Sequence, residues 1–209
     1  MKRQEAIDQL SKFQLENFSH EERKMQLETF LGENWESDNE WIKLPLNIRK
    51  EFKGDSLFEK PNSKKYDEPL LVWLRNKLKS VTNEYLAKEL NVSAIEGNPT
   101  MMESCPCCGR KTIEKRGEFE ICLICWWEDD GQDNKNADEI CGGPNYDVSL
   151  TQARNYYLTI GIYNPKQIHL KEMQEPADKY PLGRKFKIED GFVIEIGKNW
   201  KGKIKEQLH

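Results

Sequence analysis

The chain has 209 residues, of which 37% are hydrophobic and 33% charged, and its net charge is −4. This size and composition suit one or two globular domains with a packed core. No apolar run approaches the roughly 18 residues of a membrane-spanning helix, and the first residues do not resemble a signal peptide, so we expect a soluble cytoplasmic protein that does not contact membranes.

The charges are distributed unevenly along the chain. Residues 101–147 carry 5 basic and 11 acidic side chains, whereas residues 148–209 carry 11 basic and 7 acidic ones. The middle of the chain is therefore acidic, and the C-terminal part is basic. An acidic segment is poorly suited to the phosphate backbone of a nucleic acid, which it would repel.

The first hundred residues predict a helical domain. An apolar stripe that includes Ala6, Leu10 and Phe13 indicates a first helix over residues 5–17. Residues 19–22 read Ser-His-Glu-Glu, a capping box that predicts the start of a second helix. We expect that helix to stop at Gly32.

Two further helical segments are expected in this half. A short one follows Pro45 and ends near Gly54. The next begins at Asp67, with Pro69 in its first turn, and is strongly apolar. We therefore predict that it forms the core of the N-terminal domain.

Residues 82–93 resemble the first helix and turn of a helix-turn-helix motif. The second helix, which would read the major groove, should follow directly. Gly97 and Pro99 stop any such helix after about one turn. We therefore expect a packing helix followed by an edge strand over residues 92–96, and no DNA binding at this place.

Five of the six cysteines lie within residues 105–125. Two Cys-x-x-Cys pairs, Cys105 with Cys108 and Cys122 with Cys125, have the spacing of a tetrahedral structural zinc site. We predict one structural Zn²⁺ on these four thiolates. A rubredoxin-type iron uses the same ligands and stays open as an alternative.

Other uses of the cysteines are less well supported. Disulfides would need an oxidising compartment, and a thioredoxin-like pair would need to follow a strand of a βαβ unit. Cys107 and Cys141 are expected to be non-ligands, and no histidine lies near them in sequence to activate a thiolate. The spacer predicts a zinc-ribbon hairpin in which residues 111–114 pair with residues 118–122.

The segment after the second pair reads Trp-Trp-Glu-Asp-Asp-Gly over residues 126–131. Its carboxylates could form a catalytic or second metal cluster, but it does not fit a calcium-binding EF-hand loop. We favour carboxylates that accept hydrogen bonds from backbone amides. If exposed together, the acidic residues here would instead form a partner-binding surface made of Glu128, Asp129, Asp130, Asp133, Asp138 and Glu139.

The C-terminal part predicts one helix and one hairpin. Ser149 caps a helix that runs to about Ile160 and is closed by Gly161. Residues 164–181 read as a loop with one helical turn. Residues 184–188 and 192–196 alternate apolar and polar side chains around a Glu-Asp-Gly turn, which predicts a β-hairpin, and the lysine-rich tail from Lys198 is expected to be solvated.

The motifs of the middle segment resemble those of the cysteine-rich CPCC family over about residues 101–163. The resemblance rests on Cys-Pro-Cys-Cys-Gly at 105–109, on the run from Glu120 to Gly131, and on Gly-Gly-Pro-Asn at 142–145, and it extends over residues 148–154. It implies a small zinc-binding module of bacterial and phage-borne proteins. It implies no particular activity.

These observations predict an α+β protein with three parts. They are a helical N-terminal domain (1–100), a CPCC zinc-ribbon domain (101–163) and a C-terminal extension with a β-hairpin (164–209). The expected function is that of a non-enzymatic, zinc-stabilised factor of bacterial or phage origin that binds a basic protein, such as an immunity or inhibitor protein that blocks a toxin nuclease.

Three other functions are considered. A nucleic-acid-binding zinc-ribbon regulator would need a basic, aromatic surface, and only the tail from Arg184 offers positive charge. A zinc hydrolase would need an open coordination position, which four thiolates do not leave. The third alternative is an enzyme whose active site lies in residues 1–100, where the sequence shows no recognisable catalytic motif.

Overall fold

The structure is a computed structural model that describes residues 1–31, 39–54 and 59–204. The chain forms two compact units, Met1–Pro99 and Thr100–His209. The first unit is helical, and the second combines short antiparallel sheets with one α-helix, so the expected α+β class is confirmed. Among the described residues, no helix has the length and apolar character needed to cross a membrane.

The α-helices of the first unit follow the predicted pattern. Their bounds in the described residues are Arg3–Asn17 (α1), His20–Phe30 (α2), Leu46–Phe52 (α3), Asp67–Leu78 (α4) and Asn83–Leu90 (α5). Short 3₁₀ turns lie at Trp41–Lys43 and Lys64–Tyr66. The capping box before α2 is confirmed, because Ser19 and Glu22 exchange side chain–backbone hydrogen bonds. Helix α2 ends at Phe30, and the predicted stop at Gly32 lies outside the described residues.

Helix α4 lies at the core of this unit, as its apolar sequence predicts. Its side chains from Pro69 to Leu74 are buried. Trp73 stacks on Phe30 with ring centroids 5.4 Å apart, and Phe30 also meets Trp41 and Phe52 at 5.3 and 5.0 Å. Such aromatic contacts add to the stabilisation that burial alone provides.

Helix α5 is capped at its C-terminus by Asn91, which adopts the left-handed conformation, and the described residues 92–99 contain no further helix. The second helix of a helix-turn-helix is therefore absent there. The edge strand predicted over residues 92–96 is wrong, because this segment makes only one parallel bridge, between Glu96 and Lys2. The buried guanidinium of Arg3 instead anchors the region, donating to the carbonyl oxygens of Lys79 and Val81.

In its described residues, 100–204, the second unit contains two small sheets and one α-helix. Strands Glu103–Ser104 (β1) and Lys111–Ile113 (β2) form one antiparallel pair. Strands Phe186–Glu189 (β3), Phe192–Glu195 (β4) and Lys201–Lys203 (β5) form a three-stranded antiparallel sheet in that order. Helix Leu150–Ile160 (α6) begins after Ser149, whose hydroxyl accepts a hydrogen bond from Gln152 N, and ends at the left-handed Gly161, as predicted. Further 3₁₀ turns lie at Asn134–Asn136, Gly143–Asn145, Pro165–Met173 and Ala177–Lys179.

The C-terminal hairpin is confirmed, but the tail after it differs from the prediction. Asp190 and Gly191 both have positive φ, as a tight two-residue hairpin turn requires. The tail is not simply solvated, because β5 adds a third strand beside β4. It reaches helix α6 closely at Gly202, where an added Cβ would lie 2.4 Å from Thr151 Oγ1.

The predicted pairing of residues 111–114 with residues 118–122 is wrong. Strand β2 pairs with β1, and Ile121 pairs with Glu128. The reason is local: each Cys-x-x-Cys turn reverses the chain and brings its own two flanks together. The two ends of the spacer between the cysteine pairs are joined by a side chain and not by strand pairing. The carboxylate of Glu120 accepts hydrogen bonds from the backbone amides of Glu114 and Lys115.

Candidate metal centre

The first Cys-x-x-Cys turn is closed by two backbone hydrogen bonds. Cys105 N donates to Arg110 O at 2.8 Å, and Gly109 N donates to Cys105 O at 3.0 Å. Gly109 has φ +79, and an added Cβ would lie 2.0 Å from the carbonyl oxygen of Arg184. Glycine is therefore required here both by the backbone conformation and by the close approach of another segment.

The second turn repeats this pattern. Cys122 N donates to Trp127 O, and Trp126 N donates to Cys122 O, both at 2.9 Å. Trp126 occupies the position of Gly109 and also has positive φ, at 66°. The next residue, Trp127, is fully buried and meets Tyr163 edge-on with ring centroids 6.0 Å apart.

The two turns bring the four predicted ligands together. The Sγ atoms of Cys105, Cys108, Cys122 and Cys125 all lie within 4.8 Å of one another, and all four residues are buried. Cys105 and Cys125 are 3.6 Å apart at Sγ, and Cys108 and Cys122 are 3.5 Å apart. Disulfide-bonded sulfurs would lie about 2.05 Å apart, so these are free thiols.

The sulfur geometry fits a tetrahedral metal ion. Four ligands at the usual metal–sulfur length of about 2.3 Å would have their sulfurs roughly 3.8 Å apart, close to the separations found here. The four cysteines are thus positioned to bind one metal ion, which would cross-link the two turns. Since four protein donors complete a tetrahedron, such an ion would have no open position for substrate or water.

The electrostatics of the cluster also favour a bound cation. Burial raises the pKa of the Cys105, Cys108 and Cys125 thiols, because a thiolate is poorly solvated there. Burial also opposes ionisation of Cys122, but hydrogen bonds from the other three cysteines and from Thr112 lower the pKa of Cys122 well below its usual value. The Thr112 hydroxyl lies 3.1 Å from Cys122 Sγ. A metal ion would provide the positive charge that lets all four ionise.

The remaining two cysteines, Cys107 and Cys141, lie outside this group of four. Cys107 is buried inside the first turn but does not belong to the four-sulfur cluster found among the described residues. Cys141 is exposed, and slight desolvation together with the nearby carboxylates of Asp130 and Glu139 raises its pKa. That shift makes the Cys141 thiol less reactive at neutral pH.

Arg154 of helix α6 supports the first turn from behind. It is fully buried, and its Nε donates to the carbonyl oxygen of Pro106 at 2.8 Å. Its guanidinium lies between two aromatic rings, 4.3 Å from the centroid of Phe186 and 4.4 Å from that of Trp200. Burial, then the charge of Arg184, lowers the pKa of Arg154 to about 10, so it stays protonated at neutral pH.

Two of the six residues proposed for a partner surface are structural instead. Asp129 is fully buried, and its Oδ2 accepts hydrogen bonds from Arg116 Nε at 2.7 Å and from Gly117 N at 2.8 Å. Asp133 accepts from Arg116 and from Arg184, at 3.0 and 2.8 Å. Desolvation alone would raise the pKa of Asp133, but these hydrogen bonds lower it to about 2. Asp129 therefore cannot contact a partner, and Asp133 is already engaged.

Arg116 and Arg184 belong to this network, and the sequence indicated neither of them as a site residue. Arg116 lies in the spacer between the cysteine pairs, and Arg184 lies beside Gly109 and also pairs with the buried Glu195 at 2.7 Å. Neither belongs to a recognisable motif. The sequence offers one weak indication: Arg116 lies close in the chain to the acidic segment over residues 128–133.

Of the other four acidic residues, Glu128 and Asp130 are partly exposed. Asp138 and Glu139 are exposed, and Asp138 accepts a hydrogen bond from Thr151. Asp130 accepts from Gln132 N, so the preferred interpretation of these carboxylates as acceptors for backbone amides is confirmed for Asp129 and Asp130. The carboxylate of Glu128 has no hydrogen-bond or ionic partner in the part of the chain that the structure describes.

The Gly-Gly-Pro-Asn segment holds the second turn in place. Asn145 is buried, and its side chain accepts from Glu128 N at 3.2 Å and donates to Glu128 O at 2.8 Å. The glycines before it, Gly142 and Gly143, both have positive φ. This motif therefore fastens residue 128 to the loop that precedes helix α6.

The middle of the chain matches a known protein family. Residues 103–179 match the model of the family described as "Cysteine-rich CPCC", which confirms the resemblance noted in the sequence and extends it toward the C-terminus. The match covers less than half of the chain. Neither a curated protein nor a solved structure matches this chain significantly.

Proposed function

We propose that this chain is a non-enzymatic protein-binding factor whose second unit is stabilised by one structural Zn²⁺ on Cys105, Cys108, Cys122 and Cys125. The observation that carries the proposal is the closed set of four buried sulfur donors. Such sites contribute folding energy to small modules that could not fold without their metal.

Zinc rather than iron is proposed for the cofactor. Four thiolates in two Cys-x-x-Cys turns are a frequent ligand set of structural zinc, which has no redox chemistry to protect or control. The same ligands accept iron, so the metal content of the purified protein is the direct test. Iron throughout, or no metal at all, would contradict this part of the proposal.

The partner we propose is a basic protein. Residues 101–147 carry 5 basic and 11 acidic side chains, and four thiolates with one zinc add about two negative charges. An acidic module of this kind attracts basic proteins over long range and repels nucleic acids. The specific role we favour is that of an immunity or inhibitor protein of bacterial or phage origin that covers the basic surface of a toxin nuclease in the cytoplasm.

The test uses the full chain with its metal. Immobilised protein is exposed to a lysate of its native host, pretreated with nuclease, and bound proteins are released by a salt gradient and identified. We expect enrichment of a basic protein whose isolated form rebinds, with association that slows as salt rises toward physiological strength. Tight binding to duplex DNA or RNA at physiological salt would instead favour the nucleic-acid regulator.

A further inference from the structure

The second Cys-x-x-Cys turn carries three exposed apolar side chains at alternate positions. Phe119, Ile121 and Leu123 are 57%, 46% and 37% exposed. The residues between and after them, Cys122 and Ile124, are buried. Phe119 has a positive φ, at 62°, and Leu123 lies within the turn, so the three residues are neighbours along the chain and not one strand face. Single exposed apolar residues are normal on protein surfaces, but a row of three within five positions of the chain is a concentration typical of a contact site.

The carboxylate of Glu128, which has no hydrogen-bond or ionic partner among the described residues, lies beside this row. Ile121 and Glu128 are directly opposite in an antiparallel bridge, and the hydrogen bonds that frame them run from Cys122 N to Trp127 O and from Asp129 N to Glu120 O. They therefore form a non-hydrogen-bonded pair, whose side chains lie close together on the same face. The neighbours of Glu128, Trp127 and Asp129, are fully buried on the opposite side.

This arrangement is held rigidly. Asn145 binds both backbone groups of Glu128, and Phe119 N donates to Asp129 O at 3.0 Å. Ile121 and Leu123 flank Cys122, so a bound metal would fix the segment from beneath. A preformed surface loses little conformational freedom when a partner binds, which favours affinity.

We infer that Phe119, Ile121, Leu123 and Glu128, here named the second-turn face, are the docking surface for a basic segment of a partner protein. The inference rests on the proposed function and names the site at which it acts. The segment would present an arginine or lysine to Glu128 and an apolar side chain to the row. The charge of a four-thiolate zinc cluster directly beneath adds to the attraction for a cation.

Charge complementarity favours a cationic peptide over the other molecules that could bind the second-turn face. A second copy of the same face would place Glu128 against Glu128, which costs free energy. Anionic lipid headgroups and nucleic-acid phosphates would be repelled by the same carboxylate and by the cluster. A cationic peptide with alternating apolar side chains has the complementary pattern.

The experiment uses the metal-loaded full chain and two synthetic probes, a short peptide of alternating arginine and leucine and its counterpart of alternating glutamate and leucine. Binding is measured by titration calorimetry for the parent, Ile121→Ser and Glu128→Lys. The matched controls are Ile188→Ser and Glu189→Lys on strand β3, at an apolar residue that is 41% exposed and at an exposed carboxylate. Metal content is measured for each variant, so that loss of the turn is recognised.

We expect the arginine–leucine peptide to bind the parent and each face variant to weaken it roughly five- to tenfold, with the controls within about twofold of the parent. Equal binding of the glutamate–leucine peptide, or an equal loss in the controls, would overturn the assignment. If the arginine–leucine peptide binds both face variants as tightly as the parent, the second-turn face is not the docking surface, and the proposed function is unaffected. If neither the peptide nor any basic protein binds the parent, both proposals fail. Self-association of the parent that Glu128→Lys alters, seen by sedimentation, would identify a second copy as the occupant and overturn the inference.

Discussion

Arg154 donates a hydrogen bond of 2.8 Å from its Nε to the carbonyl oxygen of Pro106, the residue that follows the first metal ligand. The same guanidinium lies between the rings of Phe186 and Trp200. Helix α6, the first cysteine turn and the C-terminal sheet thus meet at one buried cation. Stability of the sheet and of the metal site should therefore be coupled through Arg154.

Replacing this arginine should destabilise the second unit. We expect Arg154→Ala to lower the free energy of unfolding by about 2–4 kcal/mol, because it removes a charged hydrogen bond and two cation–aromatic contacts. Arg154→Lys should retain only part of the stability that Arg154→Ala loses, because an ammonium cannot stack between two rings as a planar guanidinium does. Urea unfolding of the metal-loaded protein measures both. Lys166→Ala, which breaks the exposed pair with Asp147, serves as the control and should change little.

The cysteines separate into ligands and non-ligands. Each single serine substitution at Cys105, Cys108, Cys122 or Cys125 should abolish stoichiometric metal binding and unfold the second unit. The double variant Cys107→Ser/Cys141→Ser should retain one metal ion per chain. Elemental analysis of the purified variants decides this, and a loss of half an equivalent or more in the double variant would show that the ligand set is wrong.

The network around Asp133 predicts a pH dependence of stability. The folded-state pKa of Asp133 is depressed to about 2, so its contribution is fully present above the unfolded value and is lost as pH falls through the folded one. We expect Asp133→Asn to cost about 1–2 kcal/mol at neutral pH, after allowance for solvent screening of this partly exposed group.

The difference in unfolding free energy between the parent and Asp133→Asn should narrow as pH falls from about 4 toward 2, because a protonated aspartate resembles asparagine. Metal content must be followed at each pH. Glu172→Gln is the matched control and should show no such narrowing. A difference that is constant across this range would mean that Asp133 is not the titrating group.

The exposed and buried acidic residues should respond differently to charge reversal. Asp129→Lys should prevent folding of the second unit, because it removes a buried partner of Arg116 and inserts an unpaired charge. Glu139→Lys should leave the melting temperature and metal content nearly unchanged. If a basic partner binds this side, Glu139→Lys should slow its association at low salt and have less effect near physiological salt, where the Debye length is about 8 Å. Stopped-flow association rates give the comparison.

The parts of the structure that sequence predicted well are those governed by local interactions. The Ser19 and Ser149 caps, the left-handed Gly161 and the Asp190–Gly191 turn depend on neighbours within a few residues. The same holds for the metal ligands, because each cysteine pair is one turn. These features could be read from residue type and spacing alone.

The features that sequence missed depend on contacts between distant residues. Strand β5, for example, is stabilised by β4 and by contact with Thr151 of helix α6. The sequence alone places Asp129 in the predicted partner surface, because its partner, Arg116, lies 13 residues away in the chain. That separation matches neither helical nor strand periodicity. Pairing of this kind is decided by the packed unit as a whole, and no local pattern encodes it.

The close approach of Arg184 to Gly109 limits where the metal-binding module can be cut from the chain. The carbonyl oxygen of Gly109 accepts hydrogen bonds from the amides of Gly183 and Arg184, at 2.9 and 3.0 Å. A fragment that stopped at residue 179, where the family match ends, would carry all four cysteines but lose both of these donors. The metal-binding segment that can be excised therefore extends at least to Arg184, and a shorter fragment would leave the carbonyl oxygen of Gly109 without these two donors.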